Sequence, residues 1–193
     1  DTVTNAKQDT VTMSVLQLTD IDNFVARATD GANLTVNATG SSVSNIVVTE
    51  NANNGKDITV SGLSATQTVS INTINGNDVG TVTLSLADPA GSSDAISFSV
   101  NGTSTAGAET VTGVVLADVE TVNLSSGSVG STAMLSTDSN VITTLNVGTA
   151  TVLNIDGGSN LTIGTLTGTK LTTVDGSSAT GNLGLTGNNA ITY

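Results

Sequence analysis

One pattern constrains this chain more than any other: short runs of alternating apolar and hydroxyl side chains, each cut off by a cluster of Gly, Asn, Asp or Ser. "TVTMSVLQL" (10–18), "LTVNA" (34–38), "SNIVVTE" (44–50), "DITVSGL" (57–63) and "TVSINTI" (68–74) carry it. So do "GTVTLSL" (80–86), "AISFSV" (95–100), "VETVNLSS" (119–126) and "ITTLNV" (142–147). It runs on through "TVLNID" (151–156), "LTIGTL" (161–166), "LTTVDG" (171–176) and "NLGLTG" (182–187). Successive side chains of an extended strand point to opposite faces, so each run has one face to bury and one to expose. The clusters between runs are turn formers, which end a strand by bonding their own backbone or by tolerating left-handed dihedrals. The chain is therefore expected to be all-β. A single stretch also fits a helical turn: "TDIDNFVARATDG" (19–31), with Phe24, Val25 and Ala28 at helical spacing, against a strand that turns Arg27 outward.

Aromatics make up 2% of the 193 residues and there is no Trp or Cys, so Val, Leu, Ile and Ala must do the packing. Such uniform, medium-sized side chains fill a thin core between close sheets better than a wide globular interior. Toward the C-terminus "VLNIDGGSNLTIGTLTG" (152–168) and "LTTVDGSSATGNLGLTG" (171–187) repeat one another, and their Asp156 and Asp175 stand 19 positions apart. A period near 20 built of short strands is that of a solenoid, each coil stacking its apolar residues on the next. The expected architecture is a right-handed β-solenoid-like stack over 106–193. Residues 1–105 read as an all-β domain, either a sandwich or an irregular solenoid, because "NANNGKD" (51–57) and "NGND" (75–78) look like hairpin turns. The boundary is expected near "NGTSTAGAE" (101–109). No run is apolar enough over its length to cross a bilayer, and Asp1 reads as the start of a segment of a larger product.

Sixteen acidic residues face only four basic ones, Lys7, Arg27, Lys56 and Lys170, for a net charge of −12. Neutralising phosphates requires Lys and Arg, so nucleic acid is excluded as a partner. Catalysis is hard to assemble without His or Cys and with Tyr193 as the sole Tyr. The carboxylates must be solvated, mutually repelled or neutralised by cations. Oxygen ligands with no His or Cys point to Ca²⁺ rather than Zn²⁺.

Calcium takes six to eight oxygens, and close carboxylate pairs at turns are its best linear signal. Asp20 and Asp22 alternate on an extended segment, with Asn23 able to add an amide oxygen. Asp88 and Asp94 flank "PAGSS" and Asp118 precedes Glu120 by two positions, while Asn75, Asn77 and Asp78 crowd another turn. Asp156 and Asp175 mark the repeated Asp-Gly corners. Each cluster has a plainer explanation as a solvated turn. The "TVT" triplets at 2–4, 10–12 and 81–83 suggest hydroxyl rows that match an ice lattice, but their irregular spacing argues against a shared register.

"VVLADVETVNLSSG" (114–127) and "LTTVDGSSATGNLGLTG" (171–187) resemble units of bacterial surface-layer proteins and of the repeat-rich RTX proteins exported by type I secretion. The resemblance implies an extracellular, calcium-dependent, self-assembling coat on the bacterial cell, whose partners are neighbouring copies. Cell-surface polysaccharide would be held through another part of the full protein. It also admits an alternative, a stalk or ligand-binding module of a large RTX-type adhesin. The strict calcium nonapeptide of those proteins does not occur; "NGNDVGTVT" (75–83) and "DGGSN" (156–160) are degenerate relatives.

Overall fold

A strand with one apolar face must cover it, and a chain of such strands joined by short corners can do so by winding. The computed structural model describes residues 2–5, 10–12, 21–28, 33–50, 55–73, 78–103, 109–129 and 138–187. Sixteen strands form among them: β1 (Thr2–Asn5), β2 (Thr10–Thr12), β3 (Asn23–Ala28), β4 (Leu34–Asn37), β5 (Asn45–Glu50), β6 (Ile58–Leu63), β7 (Thr68–Asn72) and β8 (Val79–Leu86). The second half supplies β9 (Ala95–Gly102), β10 (Glu109–Leu116), β11 (Thr121–Ser128), β12 (Ser139–Asn146), β13 (Val152–Gly157), β14 (Asn160–Thr167), β15 (Thr173–Ala179) and β16 (Leu183–Gly187). Odd-numbered strands make one eight-stranded sheet and even-numbered strands another, each in sequence order. Neighbours in both sheets are parallel throughout. Advancing one place in each sheet per turn makes a two-sheeted β-solenoid.

Two expectations need correcting. β5 and β6 lie in different sheets, as do β7 and β8, so the chain crosses the solenoid between them and does not form the expected hairpins, although residues 51–54 and 74–77 themselves lie outside the described residues. Of the two alternatives for residues 1–105, the irregular solenoid is the one that matches their parallel ladders. The helical reading of 19–31 fails because residues 23–28 form β3, with Phe24, Ala26 and Ala28 buried and Arg27 on the outer face. Alternation outweighed the three residues at helical spacing, since the strand gains a partner on both sides.

The interior is built of columns, one residue per coil. Phe24, Ile46, Val69, Phe98, Leu124 and Ile155 stack in register in the odd sheet. Opposite them, in the even sheet, stand Leu34, Ile58, Val82, Val114, Leu145 and Leu166. All twelve are buried. A second even-sheet column, Val79, Val111, Ile142 and Ile163, sits three positions before the first and leaves two residues between the inward pairs. Thr143 and Thr144 are both exposed there, as are Gly164 and Thr165. Strict alternation breaks at the same height in successive coils, so the break is itself in register.

Gly157 ends β13 with φ of 106°, where a Cβ would run into the Ser126 backbone of the coil below. Gly157→Ala is expected to cost about 1–3 kcal/mol in urea unfolding, because the left-handed backbone and the close approach both exclude a side chain. A stability equal to wild type would show that the coils can separate here at no cost.

Candidate functional site

Corners leading from an even strand to the next odd one all fall on one side of the solenoid, and most of the acidic candidates collect there. Asp22, Asp88, Asp94, Asp118 and Glu120 occupy this edge, while Asp20 lies outside the described residues. The best-developed part spans two successive corners. In the first, Asp88 Oδ1 accepts the Ala90 amide at 3.1 Å and Asp94 Oδ2 accepts the Gly91 amide at 2.9 Å, so both carboxylates turn onto their own loop. In the next coil Glu120 Oε2 accepts the Asp94 amide at 2.9 Å. The Asp94 carbonyl returns the contact by accepting the Glu120 and Thr121 amides, each at 3.0 Å. These bonds engage one oxygen of each carboxylate and leave Asp94 Oδ1 and Glu120 Oε1 for solvent or an ion. Asp118, between them in the chain, is exposed with φ of 54°, a left-handed turn that Asp tolerates better than most residues.

The other candidates scatter. Asp22 is exposed three coils away, and its carbonyl accepts the Asn45 amide at 2.9 Å. Asp78 is half-buried at the opposite edge, and Asn77 lies outside the described residues. Asp156 is exposed at that same edge. The repeat alignment of Asp156 with Asp175 is corrected: Asp175 stacks on Asn154, because the coil here is 21 positions long, and Asp156 pairs with Ser178 after a register shift. Among the described residues no three or more His, Cys, Asp or Glu side chains gather closely enough to hold a metal by themselves.

Asn23 serves the coil stack. Asn23, Asn45, Thr68, Ser97, Asn123, Asn154 and Asp175 form one register column on the outer face of the odd sheet. Asn45 Nδ2 donates to Asn23 Oδ1 at 3.0 Å, across 22 positions of sequence. Asn123 Nδ2 donates to Ser97 Oγ at 3.2 Å over 26 positions, and Asn154 Nδ2 donates to Asn123 Oδ1 at 2.9 Å over 31. An amide has a donor and an acceptor, so it can pass the bond from coil to coil. Asn123→Ala breaks two such bonds and is expected to lose about 1–3 kcal/mol of unfolding free energy, read by denaturant titration.

The Asp175 carboxyl is held below the ordinary aspartate range by the Ser177 hydroxyl and the Ser177 amide, which bonds Oδ1 at 2.9 Å. A carboxylate lowered in the folded state stabilises above its unfolded pKa, and the contribution disappears as pH falls through the folded value. The NMR titration of Asp175 should therefore have a lower midpoint in the folded chain than in urea. Equal midpoints would contradict the Ser177 bonds.

Corner acids outside the expected set also carry structure. Asp57 Oδ1 accepts the Thr81 amide of the next coil at 2.9 Å. Asp138 and Asn140 open β12 at the far edge, and their one sequence signal is an amide in the inward phase that Ile142 continues. Comparison with protein-family models, curated proteins and solved structures finds no match for this chain.

Proposed function

We propose that this chain is a structural segment of a bacterial surface-layer protein, which self-assembles into a calcium-stabilised two-dimensional lattice outside the cell. The observation that supports the reading best is the acidic edge. A stiff parallel ladder carries Asp88, Asp94, Asp118 and Glu120 on adjacent coils of a molecule with sixteen acids and four bases. Rigid ladders suit a load-bearing role because every coil is bonded to the next. Carboxylates fixed at one edge repel the same edge of another copy unless a divalent ion lies between them. Calcium, binding through oxygen alone, matches that donor set.

Negative-stain electron microscopy of the purified chain in calcium chloride tests the reading. Two-dimensional arrays are expected, dispersing on addition of chelator. Extended single particles in calcium would overturn the coat reading in favour of an adhesin arm.

A further inference from the structure

Residues 87–93 form an exposed corner between β8 and β9, and Pro89 within it is the one proline of the chain. It follows Asp88, so the corner holds an Asp–Pro bond. The side chain of an aspartate ordinarily condenses with the amide nitrogen of the next residue, a reaction that needs the hydrogen on that nitrogen. Proline has none, so this route is closed at Asp88. Attack by the carboxyl on its own main-chain carbonyl carbon stays open, and it expels the proline nitrogen as a cyclic anhydride forms.

The corner presents that carboxyl to the bond. Asp88 Oδ1 accepts the Ala90 amide at 3.1 Å, and the ring this hydrogen bond closes contains the Asp88 carbonyl carbon and the Pro89 nitrogen. The carboxyl is therefore folded back along the peptide bond it would break, with Oδ2 left for the attack. Asp94, on the same corner, is turned onto the Gly91 amide at 2.9 Å. Asp118 and Glu120 stand on the next corner, and the corner before, 64–67, carries no charged side chain. None of these corners holds a base that would keep Asp88 ionised, so acid supplies the proton the reaction needs.

We propose that Asp88–Pro89 is a self-cleaving joint opened by acid, and that the cut leaves the solenoid assembled. Asp88 Oδ2 bonds to the Asp88 carbonyl carbon, the carboxyl proton passes to the Pro89 nitrogen, and the bond between that carbon and that nitrogen breaks. Pro89 leaves as a secondary amine. Water then opens the anhydride, restoring the side-chain carboxyl and giving Asp88 a C-terminal one, so one water is consumed per bond cut. The two ladders bridge the break: β7 pairs with β9 and β8 with β10, and Phe98 stays packed between Val69 and Leu124. Neither step involves calcium or a second copy.

Intact-mass spectrometry of the whole chain held in dilute formic acid tests the joint. The expected products are residues 1–88 and 89–193, which accumulate as the 193-residue species disappears. Pro89→Ala and Asp88→Asn each keep the chain whole over the same exposure, while Asp94→Asn is cut like wild type. On return to neutral buffer the two pieces elute together in gel filtration and separate only in urea. Their circular dichroism spectrum matches that of the uncut Asp88→Asn chain taken through the same acid. A wild-type chain that stays whole, or a Pro89→Ala variant cut as readily as wild type, overturns the self-cleaving joint. Pieces that elute apart in neutral buffer overturn the claim that the ladders hold them together.

Discussion

Phe98→Ala is expected to lower the unfolding free energy by about 3–5 kcal/mol, among the largest effects any single side chain of this molecule can have. Phe98 is 1% exposed in β9, the fifth of the eight strands of the odd sheet, between Val69 of the coil before and Leu124 of the coil after. Truncation removes apolar contacts on both sides and leaves a cavity that a ladder fixed by backbone bonds cannot collapse around. In a solenoid each coil touches only its neighbours, so a break in the middle weakens two interfaces at once. The same change near an end weakens less: Leu183→Ala, in the half-exposed last strand, should cost under half as much. Urea denaturation of both variants measures the difference. Equal costs would mean that the chain unfolds without regard to the position of the coil.

Removing calcium should be the second large effect. Twelve net negative charges on a ladder with ordered acidic edges oppose compaction, and an ion that binds only the folded state offsets this by mass action. Saturation at one hundred times the dissociation constant is worth about 2.7 kcal/mol per site, enough to move the melting temperature by several degrees. Chelator should therefore lower the melting temperature, and sodium chloride should restore little of it, because screening weakens repulsion without bridging carboxylates. A melting temperature indifferent to chelator would remove calcium from the account.

Most strands could be read from alternation because every coil exposes one sheet face to water and turns the other to the same aliphatic core. β10 escaped that reading. Its inward residues Val111 and Val114 are three apart, with Thr112 and Gly113 between them, so a period of two breaks inside the strand. Connectivity was less legible for a physical reason: an Asn-Gly turn between two alternating runs looks the same whether the second run pairs with the first or crosses to another sheet. Spacing misled as well. Coil length varies from 21 positions between Asn154 and Asp175 to 32 between Val82 and Val114, since corners absorb insertions that strands cannot. Thr10, Thr35, Thr59 and Thr83 share one register column at intervals of 24 or 25 positions, before longer coils of 32 and 31 positions pass the row to Val115 and Asn146. The same variability hid the pairing of Asp175 with Asn154.

The corner acids were legible by type but not by side. That Asp94 and Glu120 meet follows only from the stacking of two coils, and nothing local in "PAGSSD" or "ADVE" announces it. Asn140 needed the inward phase of β12 to be known before an amide at that position stood out.

The central claim is that cations on the acidic edge join one copy to the next. Sedimentation velocity of the intact chain tests it most directly, with calcium and with chelator, beside the variant carrying Asp94→Asn and Glu120→Gln. The account predicts large assemblies for wild type in calcium, monomers in chelator, and monomers for the double variant under both conditions. Assemblies that persist in chelator, or that the double variant forms as readily as wild type, would contradict it.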